Sequence, residues 1–177
     1  MVPKLAKLDI AIEYACNLAC KGCVAFSNYN RQGTVTPTQA EEWFKLWHNK
    51  VDAEEIALFG GEPLLNQNIG ELLHLVRKYW PHTRIKVNSN IFKIEPVHIQ
   101  HLFDVGNSVL QATFHFASGP LRNQLKTKLL NSIKQFGTWK KQNEEDIFGP
   151  DLDHVSFMLL QNKDVFVRCV QYGHFKS

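Results

Sequence analysis

Leu8-Asp9-Ile10-Ala11-Ile12-Glu13-Tyr14-Ala15-Cys16-Asn17-Leu18-Ala19-Cys20-Lys21-Gly22-Cys23 joins an alternating apolar run to three cysteines. Leu8 to Ile12 has the period of a strand, so the cysteines follow directly on a strand end. Their spacing, C-x3-C-x2-C, lets one tight loop converge three thiolates on a small inorganic group. Zinc would ordinarily take a fourth nearby Cys or His and often uses paired C-x2-C knuckles. Here the nearest histidine, His48, falls on a predicted helix, and the fourth cysteine, Cys169, lies at the far end of the chain. Three ligands without a local fourth suit a [4Fe–4S] cluster with one iron open to an exogenous ligand. A zinc site remains the alternative reading of the cysteines alone.

Working outward, the chain has 177 residues, 44% apolar and 21% charged, which permits a packed core and argues for one domain over residues 1–177. Twenty Lys and Arg against 17 Asp and Glu leave a formal charge of +3, too small and scattered to argue for nucleic acid. Lys126, Lys128, Lys134, Lys140 and Lys141 read more simply as a solvated helix face. No apolar run reaches the roughly 20 residues that span a bilayer. Met1 to Asp9 lacks the pattern of a secretory signal. The expected location is therefore a reducing cytoplasm, where clustered cysteines bind metal more often than they form disulfides.

The rest of the chain alternates between two periods. Thr36-Pro37-Thr38 offers helix-cap chemistry for a helix to about Val51, with Trp43, Phe44 and Trp47 on one face. Ile56 to Phe59 is a short buried strand stopped by Gly60-Gly61, and Asn68 opens a helix ending near Trp80-Pro81. Arg84 to Val87 is a strand, Glu95 to Val105 a helix opened by Pro96, and Ser108 to Phe116 a strand. Gly119 to about Asn143 reads as a long helix, Glu144 to Asp153 as a loop. Val155 to Leu160 and Val165 to Val170 supply a fifth and a sixth strand. This βαβα succession predicts an α/β fold, a mostly parallel sheet with ligands bound at the strand-to-helix loops.

With these elements in place, Cys16, Cys20 and Cys23 resemble the cysteine motif of the radical S-adenosylmethionine (SAM) superfamily, which follows the first barrel strand. Gly60-Gly61-Glu62-Pro63, at the end of the second strand, resembles the family segment that holds the amino group of the SAM methionine moiety. The resemblance implies a partial (β/α) TIM-like barrel of five to six mostly parallel strands, laterally open. It implies a [4Fe–4S] cluster on Cys16, Cys20 and Cys23, and SAM positioned by Gly60, Gly61 and Glu62. Asn88-Ser89-Asn90 stands where many members carry a Thr-Asn-Gly-like segment. Thr113 and His115 stand where a Ser or Thr often reaches the ribose, and Gln161 and Asn162 close the fifth strand. Gly22 replaces an aromatic common before the third cysteine, so packing against adenine is expected from Phe26 or Tyr29.

The activity so implied is one-electron cleavage of SAM and hydrogen abstraction from a substrate. The cofactors carry the chemistry, and the protein supplies ligation, orientation and exclusion of solvent. The electron donor would be a flavodoxin or ferredoxin, and the substrate a peptide, protein or small metabolite. Gly22 also resembles the activating enzymes of glycyl-radical proteins, especially that of anaerobic ribonucleotide reductase. A reading of another class is a non-catalytic metal-binding module. Cys169 reads as a small buried hydrophobe.

Overall fold

Strands and helices alternate through β1 (Lys4–Glu13), α1 (Pro37–Trp47), β2 (Asp52–Gly60), α2 (Ile69–Tyr79), β3 (Arg84–Ser89), α3 (Pro96–Val105), β4 (Ser108–Thr113) and α4 (Gly119–Lys134). Three further strands follow, β5 (Thr138–Trp139), β6 (His154–Leu159) and β7 (Asp164–Val170). This computed structural model describes residues 2–114 and 119–136, together with the backbone of strands β5, β6 and β7. Its sheet runs in the order β1-β2-β3-β4-β6-β7-β5 and does not close. The first four strands are mutually parallel.

The parallel half follows from local chemistry. Ile56, Ala57 and Leu58 in β2 are all fully buried, as a strand covered on both faces requires. The Thr36 hydroxyl accepts from the Gln39 amide while the Gln39 side chain accepts from Thr36, and Pro37 opens α1. α2 buries Leu72, Leu73 and Val76 against the sheet, and α3 buries Ile99, Leu102 and Phe103. Each such side chain contributes about 1.5–3 kcal/mol through its burial. Arg77 gathers the carbonyl ends: Nε donates to Val105, one terminal nitrogen to Trp80, Pro81 and Thr83, the other to Gly106. Its fork thereby serves the C-terminal end of α3 and the α2–β3 turn, which the backbone leaves short of donors.

Several boundaries differ from the sequence reading. β1 begins at Lys4 rather than Leu8, because its parallel pairing with β2 extends to Asp52. α4 stops at Lys134, well short of Asn143, and a strand follows at Thr138; the apolar residues that set the helix period end at Phe136, and the sequence then continues with a glycine, a poor helix former. β6 lies antiparallel to β4, and β7 antiparallel to β6. The four residues between β6 and β7 are far fewer than the dozen or so that a parallel crossover needs. Phe44 is buried, whereas Trp43 and Trp47 stay exposed beside Leu5 and Leu8 of β1. His115, Phe116, Gln161, Asn162 and the 144–153 loop lie outside the described residues, and so does the Cys169 side chain.

Candidate functional site

A cavity of about 460 Å³ opens at the C-terminal ends of the parallel strands. Cys16, Cys20 and Cys23 line it from the loop after β1, Gly60, Gly61 and Glu62 from the end of β2, and Asn88, Ser89 and Asn90 from the end of β3. Gln111 and Thr113 line it from β4. Four successive strand ends therefore deliver the sequence-predicted positions other than His115, which lies outside the described residues, to one place, the usual ligand position in a parallel α/β sheet. Phe26 and Tyr29 are not among its walls, while Val24 and Ala25 are. Phe26 is 55% exposed with Arg31 over its ring, and Tyr29 is 72% exposed.

The cysteine loop is tied at its two ends. Glu13 is buried; one carboxylate oxygen accepts from the Ala15 amide at 2.9 Å and the other from the Thr34 hydroxyl at 2.7 Å. Tyr14 N–H donates to Gly33 and Val35 N–H to Ile12. Within the loop, the Leu18 amide points at Cys16 Sγ at 3.4 Å. The Asn90 side chain donates to Asn17 Oδ1 at 2.8 Å and lies 3.9 Å from Cys16 Sγ. Burial raises the Cys16 pKa, helped by the charges of Glu62 and Cys23 and opposed by the Leu18 amide. Burial likewise raises that of Cys20, with Cys16 and Cys23 adding to it. Negative charge on neighbouring groups thus disfavours ionisation of Cys16 and Cys20, and a cation bound in the loop would offset that repulsion between thiolates.

The β2 exit is held far more tightly. A Cβ on Gly60 would fall 1.9 Å from Glu13 O, and one on Gly61 2.0 Å from Ala15 O. Gly60 also has φ of 138°, open essentially to glycine alone. Both close approaches are used, since the Gly61 amide donates to Glu13 and the Glu62 amide to Ala15. Glu62 is 1% exposed. Its Oε1 accepts from the Leu64 amide at 3.0 Å and Ser89 Oγ at 2.7 Å, and Oε2 accepts from the Asn90 amide at 2.8 Å. Desolvation raises its pKa against those donors. Asn66, fully buried, donates to Ile12 O at 2.9 Å and Val35 O at 3.1 Å, bracing the base of the cysteine loop. Asn88 Oδ1 is buried without a hydrogen-bond partner.

Sequence reasoning missed Glu13, Thr34, Asn66 and Gln111. A carboxylate closing an apolar alternation was the available signal for Glu13. The reach of Asn66 over 54 and 31 residues left none.

Residues 11–134 match the family model described as the Radical SAM superfamily. Over 138 residues, 75% of this chain, the sequence is 29% identical to GTP 3',8-cyclase of Aquifex aeolicus (strain VF5), and it spans 41% of that relative's length. Streptococcus suis SuiB bound to S-adenosylmethionine is similar with a TM-score of 0.55 and 14% identity, over 80% of this chain and 34% of that one. BtrN in complex with AdoMet and 2-DOIA gives a TM-score of 0.51 and 19% identity, over 72% and 56%. At these identities the two structures speak to the fold, that of a partial TIM-like barrel.

Proposed function

The chain belongs to the radical SAM superfamily, whose cofactors are a [4Fe–4S] cluster and SAM, and from that premise we propose an enzyme that reductively cleaves SAM and abstracts hydrogen from its substrate. What carries the reading is the convergence of three thiols, a Gly-Gly-Glu turn and Asn88 to Asn90 on one cavity. The donor set fits: three cysteines in one loop, and a buried, unpartnered Asn88 Oδ1 in the cavity's lining. Bound together, the cluster and SAM supply a 5′-deoxyadenosyl radical.

The chain's own residues do the rest. Cys16, Cys20 and Cys23 would hold the cluster as thiolates; because burial raises Cys16 and Cys20, loading releases protons and grows easier as pH rises. Gly60 and Gly61 bring bare backbone to the cavity, and Glu62, which fixes Ser89 and Asn90, would orient the SAM amino end. Asn88 would offer its orphan oxygen to a ligand donor, and Gln111 and Thr113, on the β4 side of the cavity, would be available to the nucleoside end. His115 belongs to the same proposal by its sequence position.

A flavodoxin or ferredoxin is the fitting electron donor, in a cytoplasmic setting. Among the described residues no helix is long and apolar enough to cross a membrane. SuiB has been crystallised with a precursor peptide and BtrN with 2-DOIA. The same split, a peptide or protein against a small metabolite, is the substrate range proposed here. Anaerobic reconstitution with iron and sulfide, then reduction with SAM, tests the activity by chromatography for 5′-deoxyadenosine. Its formation is expected, whereas a loaded cluster without it would make the chain a metal-binding module.

A further inference from the structure

Away from the cysteine cavity, α2 and α3 bring two histidines and an aspartate together over a notch made by a glycine. Gly70 is buried in the first turn of α2, and a Cβ there would fall 2.4 Å from His101 Nε2 and 2.6 Å from Cδ2 and Cε1. The His101 imidazole of α3 is therefore seated against bare α2 backbone, closer than any side chain at 70 would allow. His74 lies four residues after Gly70, on the same face of α2, and helical side chains lean toward the N-terminus over that turn. The two rings meet edge to face, with centroids 6.2 Å apart and planes at 89°. Asp104 is three residues after His101, hence its neighbour on the α3 surface.

One ligand-capable atom from each of His74, His101 and Asp104 lies within 4.8 Å of the others. None of the three lines the cysteine cavity. His101 Nδ1 is buried with no hydrogen-bond partner, a condition that buried polar atoms seldom keep without a reason. Gln100 Nε2 donates to Asp104 Oδ1 at 2.6 Å, orienting the carboxylate as outer partners of metal ligands do.

We propose that His74, His101 and Asp104 form a binding site for one divalent transition-metal ion that pins α2 to α3. Two imidazoles and one carboxylate select zinc and its neighbours over magnesium or calcium, which take oxygen donors. Bond lengths of about 2.0–2.2 Å set ligand atoms about 3.3 Å apart around such an ion. His74 and Asp104 are both exposed and so have room to close toward that separation, while His101 is seated in its notch. Water completes the coordination. The inference does not depend on the chemistry proposed for the cysteines.

The test is a zinc titration of the cluster-loaded protein under anaerobic conditions, read as bound zinc per chain with iron content followed in parallel. The wild-type protein is expected to bind one zinc at micromolar concentrations. Because loss of even an outer partner costs about 10–100-fold in affinity, His74→Ala and Asp104→Asn should each weaken binding at least about tenfold with iron content unchanged. Both residues are exposed, so both variants should fold. Gly70→Ala should weaken binding as well, by unseating His101. No zinc bound below millimolar concentrations, or equal binding by wild type and a His74→Ala, Asp104→Asn double variant, would overturn the proposal.

Discussion

The exits of β1 and β2 meet at the same cavity and are built on opposite plans. The β2 exit is complete in itself: Gly60 and Gly61 press against β1 backbone, and Glu62 is buried under three donors. Between Tyr14 and Gly33 the β1 exit buries little; Val24 is 88% exposed, and Phe26 and Asn30 adopt left-handed backbone. Its thiols are only part-buried. The difference teaches that one half of a ligand site can be a fixed wall stabilised by folding, while the other draws its order from what it grips.

Replacing Cys20 by Ala should give the largest effect and confine it to function. Iron and sulfide retention and 5′-deoxyadenosine formation should fall to background, with the melting temperature of the unloaded protein unmoved. A Cys20→Ala protein that keeps its iron would break the contrast. Glu62→Ala should do the reverse. It leaves the amides of Leu64 and Asn90 and the Ser89 hydroxyl without their buried acceptor, at about 1–3 kcal/mol each. Unfolding free energy should drop by roughly 3 kcal/mol or more and SAM binding should weaken, although cysteines that still fold retain the cluster. A denaturation midpoint equal to wild type would show that the β2 exit is not the fixed wall described.

Hydrogen exchange sharpens the comparison on one sample. Cluster loading should slow amides within 17–32 strongly and leave those of 61–66 unchanged; equal slowing in both would erase the distinction. The smallest effect is a pH dependence. Burial raises the Glu62 pKa above its ordinary 4.5, so the folded state holds that proton more tightly than the unfolded state. Its contribution to stability is whole below pH 4.5 and is lost as pH rises through the raised value. Compared with a Glu62→Gln protein, which cannot titrate there, wild type should lose stability over that rise. A stability difference flat with pH would contradict it.

Much of this was legible in the sequence, for local reasons. Thr36-Pro37 and Glu95-Pro96 mark helix starts, the Ile56 to Phe59 run marks a doubly covered strand, and the cysteine spacing marks its own loop. What stayed hidden depends on distant partners. Thr34 meets Glu13 across 21 residues, farther apart than the windows of about 11–18 residues that reveal periodicity. The β6–β7 reversal is set by a connection too short for a crossover, which strand periodicity does not report. His74, His101 and Asp104 carry no mark in the sequence, and only the packing of α3 into the Gly70 notch places them side by side.

The Glu13–Thr34 bridge, with its flanking backbone pairs, sends the chain out of and back into the barrel at one point. Residues 14–33 therefore hang from the scaffold as a cassette. Since closing a longer loop costs only about (3/2)RT ln n, the length and composition of its part beyond Cys23, residues 24–32, are open to exchange while the cysteines and the hinge pair are kept. A graft library confined to 24–32 would vary the face shown to incoming molecules without disturbing the cysteines or the sheet beneath.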